Sequence, residues 1–282
     1  MREAERKYTP ESEGKFLGYI KTKILELHRQ GLESVELGKK YDELKQEFIK
    51  ENPDSVEVIE AIFGIKDVAR IEQELSVAKN KKLRIEREKL KEMMRNLTQW
   101  HFLLTNLLIQ IKDKSFASSF WSELGAIYKS FSDRPIKGIR KGIVGQVGVY
   151  KTLEKFGLQP RIAHPDEDAF EKMDLWVSLP TAEVAIQTKY TQKIEQPLIV
   201  KDDIDYPSVL IESLDKETYV SHYDIEQMIR LRESCRKKAK QTGKKIQSLY
   251  LSIPEGSFDP DTGEPTEEFL KQIEPEIGKY LK

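Results

Sequence analysis

Apolar residues recur at helical spacing through the first half of the chain. Thr9-Pro10-Glu11 supplies a cap, a first-turn proline and an acid matched to the positive end of a helix; Phe16, Leu17, Ile20, Ile24 and Leu27 then share one face, and Gly31 is the stop. A second stripe, Leu37, Tyr41, Leu44 and Phe48, ends before Asn52-Pro53, since a residue preceding proline is driven out of helical geometry. A third starts at Asp54 or Ser55 and carries Val58, Ile59 and Ile62. From Asp67, the residues Val68, Ile71, Leu75 and Ala78 continue a helical stripe into the charged stretch Lys79 to Glu92, which reads as a solvated helix face. Leu97 to Ile111 and Phe116 to Phe131 predict two further helices. Residues 1–132 are therefore expected to form a helical region that meets a partner or positions nucleic acid, with Pro135 and the glycines after it marking its end.

Beyond that point the period changes. Gly142, Gly145 and Gly148 interrupt an apolar run that continues through Leu153 and Phe156, which predicts a helix able to pack closely on a sheet and stopped by Gly157. Three extended segments follow, Pro160 to Ala163, Met173 to Leu179 and Glu183 to Tyr190. A long helix from Asp224 to about Thr242 and the strand Ser248 to Ile253 complete the order helix, three strands, helix, strand. The glycine cluster is no phosphate loop, because Lys151-Thr152 lacks a glycine immediately before the lysine.

This order, with Asp174 in Lys172-Met-Asp-Leu-Trp-Val177 and the triplet Gln187-Thr188-Lys189, resembles the PD-(D/E)XK nuclease superfamily over about residues 139–255. The resemblance implies an α+β fold: an all-helical N-terminal region, then a restriction-endonuclease-like α-β-β-β-α-β core with a mixed sheet at residues 133–255. It further implies that Asp174, Gln187, Lys189 and Gln146 are the catalytic positions, converging at one end of the sheet. Gln187 stands where the family triplet has an acid, and Gln146 where its first helix often has a glutamate. Asp174, Gln187 and the carbonyl of Thr188 would be the metal ligands. Lys189 would orient or deprotonate the attacking water. The implied cofactor is Mg²⁺ or Mn²⁺, since hard cations prefer oxygen donors and phosphodiester hydrolysis needs the phosphate polarised. Period-two alternation puts Gln187 and Lys189 on one strand face, where they can address one phosphate. Other acids flank these positions: Asp166, Glu167 and Asp168 before them, and Asp202, Asp203 and Asp205 after.

Composition narrows the alternatives. A net charge of -1 excludes a uniformly basic nucleic-acid binder, so any basic surface must be local. The densest candidate is the helix after the triplet strand, with Arg230, Arg232, Arg236, Lys237, Lys238 and Lys240, expected to lie beside the site and to contact phosphates. Cys235 is the only cysteine, so an intramolecular disulfide and a thiolate zinc cage are both excluded. The four histidines are dispersed without metal-ligand spacing, and no nucleophile turn is recognisable. The polar start MREAERKYTPESEG carries no secretory signal, and Trp100 to Ile111 is too short to span a bilayer, so the protein is expected in the cytoplasm and away from membranes. Residues 256–282 are rich in acids and read as an acidic extension with a short helix. The expected function is metal-dependent hydrolysis of DNA or RNA, with nucleic acid, DNA foremost, as partner. A homodimer or protein partner could be met through the helical region. The alternative is a catalytically silent member of the same fold that binds nucleic acid or protein.

Overall fold

The computed structural model describes residues 10–192, 194–201 and 222–280, so Asp202, Asp203 and Asp205 lie outside the described residues. The chain divides into two compact units, 1–140 and 141–282, and the division falls inside a helix, a little beyond the boundary expected at residue 132.

The first unit is helical: α1 (Pro10–Arg29), α2 (Ser34–Glu51), α3 (Val56–Asn80), α4 (Arg87–Gln110) and α5 (Lys114–Phe131). The stripes read from the sequence form its core, with Leu17, Ile20 and Ile24 of α1 and Ile59 and Ile62 of α3 fully buried. Gly64 allows a close crossing: a Cβ there would sit 2.6 Å from the Trp100 ring, whose Nε1 donates to the Ala61 carbonyl at 2.8 Å. Asp113 caps α5 by accepting from the Phe116 N–H at 2.7 Å. One expectation fails here. The stripe through Ala78 does not run on into residues 79–92: α3 ends at Asn80, and Lys82 turns the chain with a φ of 51° before α4 begins at Arg87.

The second unit is built on a five-stranded mixed sheet: β1 (Pro160–Ile162), β2 (Leu175–Ser178), β3 (Glu183–Thr191), β4 (Leu198–Lys201) and β5 (Ile246–Pro254), in the order β1-β2-β3-β5-β4. The pairs β1/β2, β2/β3 and β4/β5 are antiparallel, whereas β3 and β5 run parallel. A parallel pair needs a crossover, supplied by α7 (His222–Thr242), which packs on both strands. The strand β4 was not foreseen. Its Val200 joins Tyr250 of β5 and Met228 of α7 in a small buried cluster.

Two layers cover the sheet. On one face Ala185 and Trp176 pack against Leu231 and Cys235 of α7. On the other, α6 (Lys137–Lys155) lies so close that a Cβ on Gly145 would be 2.6 Å from Cβ of Tyr190. Gly148, expected to meet the sheet, instead meets the C-terminal segment: Phe258 lies 2.4 Å from where its Cβ would be. That segment packs as part of the second unit. Phe258 stacks near Tyr190 and Phe269 with ring centroids 5.4 and 5.0 Å away, and α8 (Glu267–Tyr280) buries Phe269, Ile273 and Ile277. The Lys151 ammonium, itself buried, donates to the Thr262 carbonyl at 2.8 Å. No helix among the described residues is long and apolar enough to cross a membrane.

Candidate active site at the open edge of the third strand

The strands β2 and β3 stop pairing at Leu175 and Ile186, while β3 continues alongside β5 to Thr191. From Gln187 onward, among the described residues, β3 therefore has a strand neighbour on one side only. Asp174 fills the gap. It lies just before β2, where a strand residue had been expected. Its N–H donates to the Ile186 carbonyl at 2.8 Å, and its carbonyl accepts from the Ala163 N–H at 2.9 Å. Its carboxylate Oδ2 accepts from the Thr188 N–H at 2.6 Å and from the Thr188 hydroxyl at 2.9 Å. Within a strand the N–H and carbonyl of one residue point the same way, so the Thr188 carbonyl faces the side on which the Asp174 carboxylate lies.

Gln146, buried on α6, donates from Nε2 to the Asp174 carbonyl at 3.0 Å. An amide can make that bond and a glutamate could not. Gln146 thus anchors the backbone of Asp174. Gln187 projects from β3 on the face shared with Lys189, and its Oε1 is buried without a hydrogen-bond partner. A buried amide oxygen left so costs about 1–3 kcal/mol unless something satisfies it.

Lys189 forms a short ion pair with Asp224, in the first turn of α7, where the helix dipole favours an acid. The Tyr250 hydroxyl of β5 donates to the same Oδ1 at 3.0 Å. Asp224 and Tyr250 were missed from the sequence, since only the parallel crossover brings α7 and β5 to Lys189. Asp224 is also what an ordinary helix start looks like.

The carboxyls are strongly perturbed. Burial pushes Asp174 above the usual carboxylate range, against the pull of the two Thr188 hydrogen bonds and Lys172. Burial and then the charge of Asp174 push Asp168 up as well, so these two carboxyls feel each other. Asp168 lies in the π-helical turn Glu167–Glu171 and had been named only among flanking acids. Its neighbour Glu167 is used differently. It accepts from the Trp176 indole at 3.1 Å and pairs with Lys238 at 2.7 Å, which also reaches Glu171 at 2.7 Å.

The basic helix needs correction on two counts. Lys238 and Arg232 are half-buried rather than displayed, Lys238 being spent on Glu167 and Glu171, so Arg230, Arg236, Lys237 and Lys240 make up the exposed stripe. The exposed stripe's dense end is also set off from Lys189 along the helix, although Lys238 on that stretch reaches Glu167, the neighbour of Asp168. With α7 as the parallel crossover, Asp224 meets Lys189 near the C-terminal end of β3, while Lys244, just past the helix, pairs with Glu183 at the strand's start. At 1.5 Å per residue, Lys237 and Lys240 lie about 20–24 Å along the helix from Asp224.

The donors expected for a divalent cation are all hard oxygens: the Asp174 carboxylate, the Thr188 carbonyl and the unpartnered Gln187 Oε1, with Asp168 adding charge nearby. They fit such an ion, which would satisfy the orphaned amide oxygen and favour ionisation of the raised carboxyls. Among the described residues no group of three or more His, Cys, Asp and Glu side chains is gathered as a metal cage. The chain matches no family model, no curated protein and no solved structure.

Proposed function

We propose that the protein is a metal-dependent nuclease with a restriction-endonuclease-like core, hydrolysing phosphodiester bonds of nucleic acid. What carries the reading is the conjunction at the edge of β3: a half-buried carboxylate, Asp174, bridged to the triplet through Thr188, with an amide oxygen, Gln187 Oε1, that has no partner among the described residues. Both the half-buried carboxylate and the unsatisfied amide oxygen cost stability, a cost that a bound cation would offset. The order α6, three antiparallel strands, α7 and a parallel β5, with the added edge strand β4 between β3 and α7, supports the reading.

Asp174, Gln187 and the Thr188 carbonyl would hold Mg²⁺ or Mn²⁺, and Asp168 would add a second negative charge close by. Bound there, the ion supplies Lewis acidity toward a phosphoryl oxygen and a lowered pKa for water. The chain's own groups do the rest. Gln146 holds the Asp174 backbone in register, and Thr188 fixes the carboxylate with two donors. The Lys189 ammonium, held by Asp224, is placed on the Gln187 face to orient a water and offset charge developing on the phosphate.

The decisive assay offers single-stranded, duplex and branched DNA and RNA with Mg²⁺ or Mn²⁺ against chelator. Cleavage that disappears in Asp174→Ala and Lys189→Ala is the expected result. The second reading, a silenced nuclease-like binding module, is favoured by one observation: the Lys189 ion pair with Asp224 already occupies the ammonium. No cleavage by the wild type, with nucleic acid still bound, would select it.

A further inference from the structure

The turn between α3 and α4 is unlike the rest of the first unit. Residues 79–92 carry seven lysines and arginines against three glutamates. Two of the bases are engaged, Lys89 with Glu74 and Lys91 with Glu88 at 2.8 Å. Lys79, Lys81, Lys82 and Arg84 are exposed, and their side chains take part in no ion pair or hydrogen bond with the described residues. Amid them stands Leu83, 58% exposed, with Val77 and Leu90 exposed at 41% and 37% on the adjoining helix ends.

The backbone explains why these residues are out of place. The Leu83 N–H donates to the Ala78 carbonyl at 2.8 Å and the Lys82 N–H to the Lys79 carbonyl at 3.3 Å, which is the bonding of a Schellman helix end with Lys82 in the left-handed position. Glycine is the residue suited to that position, because a side chain there costs about 1 kcal/mol. The residue after it ordinarily turns an apolar side chain back onto the helix. Here the left-handed position holds a lysine and the apolar residue faces solvent, so both choices work against the turn's own stability. They suit a contact with a polyanion: several exposed cations on a tight turn, with an aliphatic side chain between them to lie against sugar or base.

We propose that the α3–α4 turn is a nucleic-acid contact, with Lys79, Lys81, Lys82 and Arg84 on phosphates and Leu83 against the sugar-base surface. It rests on the reading that this protein handles nucleic acid, but not on its cutting it. The first unit then holds the partner through a surface separate from the strand-edge residues.

The test is fluorescence anisotropy of the full chain with a labelled 30-base-pair DNA duplex and the matching single strand, across a salt series in chelator. Lys82→Glu with Arg84→Glu should weaken binding at least about tenfold at 0.1 M salt and lower the slope of log K against log salt by about two, since each phosphate contact contributes roughly 0.9. Lys82→Gly removes a charge while easing the left-handed turn, so it should bind more weakly and melt no lower than the wild type. Reduced binding with an intact or raised melting temperature supports the proposal. Unchanged affinity and slope in both variants overturn it, as would tight binding to vesicles containing 30% phosphatidylserine with none to DNA or RNA. If the wild type cleaves while the charge-reversed variant binds and cleaves normally, this proposal alone fails. If the turn binds DNA and nothing is cleaved under any metal, only the nuclease reading fails.

Discussion

The Asp174 carboxylate accepts both the backbone N–H and the hydroxyl of Thr188, at 2.6 and 2.9 Å from one oxygen. This pair joins the strand-edge acid to the triplet. Thr188→Val keeps the β-branched shape and the backbone bond but deletes the hydroxyl donor. It should lower nuclease turnover about tenfold by loosening the carboxylate, with stability reduced by about 1 kcal/mol. Turnover equal to wild type in steady-state assays would show that the hydroxyl has no part in placing Asp174.

A second relationship concerns how Lys189 is held. Asp224 faces both the Lys189 ammonium and the Tyr250 hydroxyl, so Asp224→Asn removes the charge that fixes the ammonium while keeping the shape. If Asp224 is a positioning residue, kcat should fall about ten- to a hundredfold with KM for the nucleic acid little changed, and Asp224→Glu should recover part of the loss. If the pair instead sequesters Lys189, the asparagine variant will cleave faster than the wild type. An unchanged kcat would leave Asp224 as a helix-start residue only.

The periodicities located nearly all the helices because the apolar stripes were long. Strands β1, β2, β3 and β5 were visible from alternation and apolar runs. The strand β4 escaped because its four residues carry too little pattern to stand out from the segment around them. Asp174, Gln187 and Lys189 could be named as candidates from the superfamily resemblance, but their partners could not. Asp224 is 35 residues from Lys189 in sequence, and the link exists only because a parallel crossover returns the chain to the same sheet end. The same crossover sets the exposed basic end of α7 away from Lys189, which residue types alone do not reveal. The C-terminal segment misled by its surface acids. Its sparse apolar residues, Phe258, Phe269, Ile273 and Ile277, are the ones that bury.

That burial makes the C-terminal segment part of the second unit's fold. Ending the chain after residue 255 would uncover Gly148, Tyr190 and the Lys151 ammonium, which now donates to Thr262. Phe258→Ala alone should cost about 3–5 kcal/mol by cavity formation, and Gly148→Ala should destabilise by about 1–3 kcal/mol through overpacking against the Phe258 ring. Urea unfolding of the two variants checks this. A midpoint unmoved in both would mean the segment is merely appended.

In the first unit, burial pushes the His101 imidazole down to about 4, with Nε2 shielded and without a hydrogen-bond partner. A histidine whose folded pKa lies below its unfolded value of about 6.5 favours the folded state most above that value. The contribution is lost as pH falls from about 6.5 toward 4, where the unfolded chain takes up the proton first. The residue as a whole is only half-buried, so the full loss is about 2 kcal/mol. Asp168 and Asp174, raised by burial, act in the opposite sense, being stabilising at low pH and costly above it. The comparison must therefore be between wild type and His101→Leu in denaturant at pH 7.5 and 5. The wild type should lose about 1–2 kcal/mol more than the variant over that interval; equal losses would mean that the ring is solvated in both states.

The final test concerns Gln187, whose buried Oε1 has no hydrogen-bond partner among the described residues. Gln187→Glu places at this position the acid that the proposed nuclease reading would have there. A carboxylate is the stronger ligand for a hard cation, so the variant should bind Mg²⁺ or Mn²⁺ more tightly, read by calorimetry without any substrate. It also adds a charge beside Asp174 and Asp168, whose pKa values are already raised, so without metal the variant should be less stable at pH 8 than the wild type. Adding metal should reverse that difference. This thermodynamic signature separates ligation from a simple loss of packing, because a misplaced glutamate would lower stability with and without the ion. If calorimetry detects no metal in either protein up to about 10 mM, the dissociation constant lies above the millimolar range and Gln187 is no ligand. If the glutamate variant binds the ion and cleaves nucleic acid while the wild type does neither, the amide has silenced the site, and the natural protein works by binding alone.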